Sequence, residues 1–186
     1  MSGRGQPGLD LAGGLCLRAW RPGDAAALLV AQQDPLVRRY SGYLVSDEGE
    51  ALEAVQRMAA TWARGDGAAW ALSDGGGTLL GSIRYGLIDA RLGLGSVGYW
   101  LLPEVRGRGA ATAALRATTR VALRDLEWHR VELYHAVENE RSCAVARRAG
   151  YRPEGVMRAA MRYPVDGRWS DEHLHARLDS DREPLG

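Results

Sequence analysis

Gly98-Tyr-Trp-Leu-Leu-Pro-Glu-Val-Arg-Gly-Arg-Gly-Ala-Ala-Thr112 decides how the rest of the chain is read. A strand-like run ends at Pro103, a glycine-rich turn follows, and a helix opens with no acid in its first turn. Arg106 and Arg108 stand there instead, where unbonded N–H groups already make a helix end positive, so they cost stability unless an anion binds. Gly107 and Gly109 let the backbone approach a bound group, and the amides of the turn can donate to it. A pyrophosphate has the required charge. An ordinary strand-to-helix turn with solvated arginines fits the same residues equally well.

Outward from this stretch, hydrophobic periodicity and turn residues lay out one mixed α/β domain. Strands are expected at 15–20, 67–73, 78–89, 97–102, 129–136, 151–162 and 168–178. Helices are expected at 25–33, 47–64, 106–126 and 140–149. Ser46 is the expected N-cap of the second helix, whose inner face would hold Leu52, Val55, Met58, Ala59 and Trp62. Gly150 closes the last helix, and Asp74-Gly-Gly-Gly77 and Pro164-Val-Asp-Gly167 mark hairpins. The reading is a single sheet of about seven strands with about four helices and a parallel strand-helix-strand unit at its centre.

Composition narrows the classes. The chain has 186 residues and a formal net charge of +1, which gives no bulk attraction to nucleic acid or to a membrane surface. All 24 basic residues are arginine. Cys16 and Cys143 lie too far apart to suggest a disulfide framework or a paired-cysteine metal motif. Residues 1–14 are glycine-rich without an apolar core, so a disordered leader is expected before a single domain at 15–180, in a cytoplasmic protein.

A second segment gives the pattern a name. His129-Arg-Val-Glu-Leu133 leads to Asn139-Glu-Arg-Ser142, then Ala149-Gly-Tyr151-Arg-Pro-Glu-Gly155-Val-Met-Arg158. With Arg106-Gly-Arg-Gly109-Ala-Ala111 upstream, this resembles the GCN5-related N-acetyltransferase (GNAT) superfamily, and within it the RimJ/RimL-like subgroup. The resemblance runs from about Leu15 to Leu178 and implies the GNAT fold, with a splay between the fourth and fifth predicted strands. It implies acetyl-CoA as co-substrate and a primary amine as acceptor. The acceptor would be a peptide N-terminus or a small molecule such as an antibiotic amine, and a bulkier acyl donor fits the same motifs. A homodimer is compatible with the resemblance.

The resemblance also assigns roles. Backbone groups of Trp100, Leu101 and Leu102 would pair with the pantetheine, and an N–H near Leu101 or Leu102 would polarise the thioester carbonyl. Gly107, Arg108, Gly109, Ala110 and Ala111 would hold the pyrophosphate, with Arg106 and Arg108 adding charge. Thr112 either adds a hydroxyl contact or packs on the helix face. Asn139 would meet the pantetheine amide, and Ser142 would serve the leaving sulfur in place of a tyrosine common in the family, whose position here is Ala146; either side chain also suits a helix cap. Arg148 would reach the ribose phosphate or face solvent.

Two family glutamates are missing, at Ser96 and within Ala159-Ala-Met161. Glu132, Asp171, Asp89 and His135 remain as candidate bases. Aromatic candidates for the acceptor pocket are Trp62, Trp70, Tyr40, Tyr43, Tyr163 and Trp169. Asp171, His173 and His175 share one strand face, yet no fourth ligand is apparent and the resemblance implies no metal, so none is expected. A non-catalytic acyl-CoA-binding module is the competing reading, supported by the missing tyrosine and glutamates.

Overall fold

A computed structural model describes residues 5–184 of the chain. Eight strands form one sheet: β1 (Leu9–Leu11), β2 (Leu15–Ala19), β3 (Gly67–Asp74), β4 (Leu79–Asp89), β5 (Leu94–Leu101), β6 (Arg130–Ala136), β7 (Arg152–Arg162) and β8 (Trp169–Leu178). Their order across the sheet is β1-β2-β3-β4-β5-β6-β8-β7. Only β5 and β6 pair in parallel, joined through helix α4 (Ala110–Arg120) as a strand-helix-strand crossover requires. The other helices are α1 (Ala25–Ala31), α2 (Pro35–Tyr40), α3 (Glu48–Arg64) and α5 (Glu140–Arg148).

The sheet separates two apolar layers, and β3 shows why. Its residues alternate between faces: Ala68, Trp70 and Leu72 enter one cluster with Tyr85 and Leu115, while Ala69 and Ala71 enter another with Val55 and Met58. Period-two alternation in a strand buried on both faces produces this split. Helix α3 covers one face through Ala51, Ala54, Val55 and Met58, the i, i+3, i+4, i+7 stripe of an amphipathic helix. Helix α4 covers the other through Ala110, Ala114, Leu115, Thr118 and Thr119, then loosens into a π-turn at Val121–Asp125.

Several expectations shift. The sheet has one more strand than expected, and α2 is an additional short helix. Its six residues are too few to show an apolar period; Asp34 caps it, accepting from the N–H groups of Leu36 and Val37. Strand β1 lies inside the expected disordered leader: Leu9–Leu11 pair antiparallel with Leu15–Leu17, and Trp70 Nε1 donates to the Pro7 carbonyl at 2.8 Å. Residues 1–4 of that leader lie outside the described residues. Asp47, not Ser46, caps α3, because its carboxylate accepts from Glu50 N–H at 2.8 Å while Glu50 accepts from Ser46 N–H. The buried stripe of α3 also differs from the expected one, running through Ala51, Ala54, Val55, Met58 and Thr61 and leaving Leu52 exposed. Among the described residues no helix is long and apolar enough to cross a membrane.

Candidate functional site

The seam between β5 and β6 organises the site. These strands pair from Leu94↔Arg130 to Val97↔Leu133 and no further. Beyond that point β5 continues to Leu101 on its β4 side only, and β6 continues to Ala136 on its β8 side only. The sheet therefore opens into a cleft with unpaired strand edge on β5, a template for an extended group such as pantetheine. Antiparallel alternation decides which groups face it. Leu102 N–H donates to Leu80 O at 2.8 Å, so Leu102 and, two residues back, Trp100 aim their backbone at β4. The pantetheine roles expected of Trp100 and Leu102 thus fall on residues whose backbone faces β4, while Tyr99 and Leu101 face the cleft.

At the end of β5 the chain makes a 3-10 turn at Pro103–Val105 and then the glycine turn. Gly107 (φ 74°) and Gly109 (φ 80°) both take the left-handed conformation that glycine alone adopts cheaply. Gly109 is the N-cap of α4, no side chain caps this helix, and no acid lies in its first turn. Backbone amides of Ala110, Ala111 and Thr112 thus sit at a positive helix end with no intrahelical partner.

The two arginines part company here. Arg108 is exposed and has no ion-pair partner among the described residues. Arg106 is committed elsewhere: its guanidinium grips both carboxylate oxygens of Asp34 and donates through Nε to Leu101 O at 2.9 Å. Expected to add charge on a pyrophosphate, in this structure it ties the cap of α2 to the end of β5. Burial would raise the Asp34 pKa; the Arg106 hydrogen bond and the Val37 and Leu36 amides outweigh it and hold the carboxyl below its ordinary value.

Ser142 lies in the first turn of α5, buried, with Oγ 3.0 Å from the Tyr99 hydroxyl across the cleft. Burial pushes the Tyr99 phenol up to about 12, so it stays protonated. The pair brings together a residue singled out in the sequence and one that was not. Tyr99 thus brings a phenol to the cleft, while Ala146, the position of the family tyrosine, is fully buried. Asn139 is the N-cap of α5, with Oδ1 accepting from Ser142 N–H at 3.2 Å. Capping is therefore one role it does perform, and it fixes the turn that carries Ser142. Arg148 lies at the other end of α5, where its carbonyl accepts from Arg116 and its side chain edges a depression shared with Cys143 and His173.

On the other side of β6's end, a depression of about 620 Å³ opens between α2 and the β7–β8 hairpin. Arg39, Tyr40, Glu138, Tyr163, Trp169 and Asp171 line it. Three of the expected aromatics are thus present, with Tyr40 edge-on to Tyr163 at 6.1 Å. Trp70, Trp62 and Tyr43 pack against the apolar clusters instead. Of the candidate bases, Glu132 is held by Arg130 and Tyr134, Asp89 accepts from the turn amides of Arg91 and Leu92, and Asp171 accepts from Ala159 N–H. His135 packs among other histidines.

Sequence reasoning missed Glu172. It is 3 % exposed, pairs across from Ala136 at the mouth of the cleft, and accepts from the Tyr163 hydroxyl at 3.1 Å. Burial raises its pKa. One signal pointed to it: strand alternation sets Glu172 on the face opposite His173, an acid where the pattern calls for an apolar residue.

Comparison with known proteins bears on the family and the fold. Residues 14–152 match the family model described as acetyltransferase (GNAT) domain. A Bacillus subtilis protein described as a putative ribosomal N-acetyltransferase, YdaF, is 39% identical over 82 residues, 44% of this chain and 45% of that protein. The chain thus spans about half the length of that curated relative. Among solved structures, the ribosomal-protein-S5-alanine acetyltransferase of Vibrio fischeri superposes with a TM-score of 0.84 at 17% identity, covering 96% of this chain and 100% of that one. RimL, a ribosomal L7/L12 alpha-N-protein acetyltransferase in complex with coenzyme A, also gives 0.84, at 24% identity and 94% and 100% coverage.

Proposed function

Because the chain belongs to the GNAT acetyltransferase domain family, we propose that it moves an acetyl group from acetyl-CoA to the α-amino group of a protein N-terminus. The observation that carries this reading is the cleft between β5 and β6, with the Tyr99–Ser142 pair inside it and the uncapped Gly107–Ala111 turn beside it. Pantetheine pairs with the open edge at Leu101, and the amides of the turn, with Arg108 nearby, take the pyrophosphate. The relative from Bacillus subtilis is named for ribosomal N-acetylation, and the RimL structure holds coenzyme A, which fits this donor and acceptor.

In the transfer step the amine nitrogen attacks the thioester carbon, and Leu101 N–H supports the developing oxyanion. The carbon–sulfur bond then breaks. Ser142 Oγ–H gives its proton to the leaving thiolate as it takes the proton of the Tyr99 hydroxyl, which water reprotonates once the products leave. The amine's surplus proton passes through the Tyr163 hydroxyl to Glu172, whose burial lifts its proton affinity toward working pH. An α-amino group suits so modest a base: its pKa is about 8 against about 10.4 for lysine, so a larger fraction is neutral.

The test is acetyl-CoA turnover over a panel of matched peptides, with free thiol and acetylated product both measured. Peptides with a free N-terminus are acetylated faster than those offering only lysine, and Ser142→Ala slows turnover about 10²-fold. Preference for lysine refutes the acceptor. Tight CoA binding with no thiol release on any amine refutes the enzyme and makes the domain a binding module.

A further inference from the structure

Four metal-ligating side chains converge where β6, β8 and the first turn of α5 meet. His135, Cys143, His173 and His175 bring one donor atom each to within 4.8 Å of one another. The sheet register assembles three of them: His135 faces His173 across the ladder, and His175 follows two residues along on the same face. Cys143 completes the group from α5. Sequence spacing alone grouped Asp171 with His173 and His175; the structure turns Asp171 to the β7 bulge and supplies His135 and Cys143 instead.

The spacings fit a tetrahedral ion. Zinc about 2.05 Å from nitrogen and about 2.3 Å from sulfur needs ligand edges of about 3.3 Å for N···N and about 3.6 Å for N···S. His135 Nε2 lies 3.2 Å from His175 Nε2, and Cys143 Sγ lies 3.7 Å from His175 Nε2. His135 Nδ1 is 2.9 Å from the Ala136 carbonyl; as a donor there it leaves the Nε2 lone pair aimed into the cluster, the arrangement that orients ligating histidines. His135 and His175 are 4 % and 1 % exposed, and the Nδ1 atom of His173 is buried without a hydrogen-bond partner. Polar atoms so placed ordinarily have partners. A depression of about 520 Å³ lined by Cys143 and His173 gives an ion a way in. Arg147 and Arg148 at its mouth oppose a cation, and a Cys143 thiolate supplies the compensating charge.

We propose that His135, Cys143, His173 and His175 bind a single divalent transition-metal ion, with zinc the best match to three imidazoles and a thiolate. The ion ties α5 to β6 and β8 next to Ser142, and the Cys143 thiol releases its proton on coordination. The site stands independently of the acceptor assigned above.

The experiment is metal titration of the reduced, chelator-stripped chain, using zinc in competition with a chromophoric chelator and cobalt as the spectroscopic probe. Saturation at one equivalent per chain is expected, with tetrahedral cobalt bands and a thiolate-to-cobalt charge-transfer band. Cys143→Ser abolishes that charge-transfer band, and Cys143→Ser and His173→Gln each weaken zinc binding at least about tenfold, whereas Cys16→Ser changes neither. Circular dichroism checks that each variant is folded. Absence of saturable binding in the stripped chain overturns the proposal. So does wild-type zinc affinity in whichever of the Cys143 and His173 variants folds.

Discussion

Arg106 offers the sharpest test of the structure against the motif, because the motif points the residue at the donor phosphate and the structure points it at Asp34. Arg106→Ala removes a two-pronged ion pair whose side chains are 25% and 12% exposed, together with the bond to Leu101 O. A charge-assisted pair contributes about 1.5–3 kcal/mol when buried and less when solvent reaches it, so about 1 kcal/mol is taken here; the carbonyl bond adds about 1 kcal/mol. The sum of about 2 kcal/mol lowers Tm by roughly 4–8 °C in a domain of this size. Coenzyme A affinity of the folded variant changes less than about threefold. Arg108→Ala does the reverse, leaving stability within about 0.5 kcal/mol while weakening binding about five- to tenfold. The depressed Asp34 pKa sets the pH dependence. Its contribution is present above the unfolded carboxyl value of about 3.9 and disappears as pH falls through the folded value, so in acid the gap between wild type and Arg106→Ala narrows to the share of the Leu101 carbonyl bond. Scanning calorimetry, isothermal titration with coenzyme A and a double-mutant cycle with Asp34→Ala measure these quantities. A tenfold loss of affinity at unchanged Tm, or a cycle with no coupling, refutes the structural role.

Glu172→Gln lowers kcat about 10²-fold on N-terminal peptides and removes the acid limb of the kcat profile at saturating substrate, which in wild type lies above the ordinary glutamate value of about 4.3. Because the folded pKa is raised, charging this carboxyl costs stability as pH rises toward and through the folded value, so the same variant is no less stable than wild type at neutral pH. An unchanged acid limb excludes Glu172 as the base. Gly95→Ala should cost about 3 kcal/mol in urea unfolding, since a Cβ there would lie 2.1 Å from the Trp128 ring; Gly98→Ala, with open space around it, should cost under about 1 kcal/mol. Equal costs at the two glycines would contradict the packing of Trp128 on β5.

The sequence by itself determined the element order from β2 onward apart from α2, the parallel unit through α4 and a glycine turn before an uncapped helix start, because these follow from local quantities: apolar period, glycine placement and the absence of an acid at a helix start. The family resemblance picks out Asn139 and Ser142, and the two stand at the start of α5. What needed the tertiary structure was every contact between distant segments. Asp34 and Arg106 stand 72 residues apart, so no local pattern separates a phosphate-binding arginine from one already paired. Tyr99 and Ser142 come from a strand and a helix that meet only when the β5–β6 ladder stops at Val97↔Leu133. Backbone direction along β5, which selects Leu101 over Leu102, depends on the register with β4. Glu172 and the cluster of His135, Cys143, His173 and His175 likewise exist only through the β6–β8 register, since pairing brings side chains far apart in the chain to about 5 Å and a slip of a single residue would turn them to the opposite face.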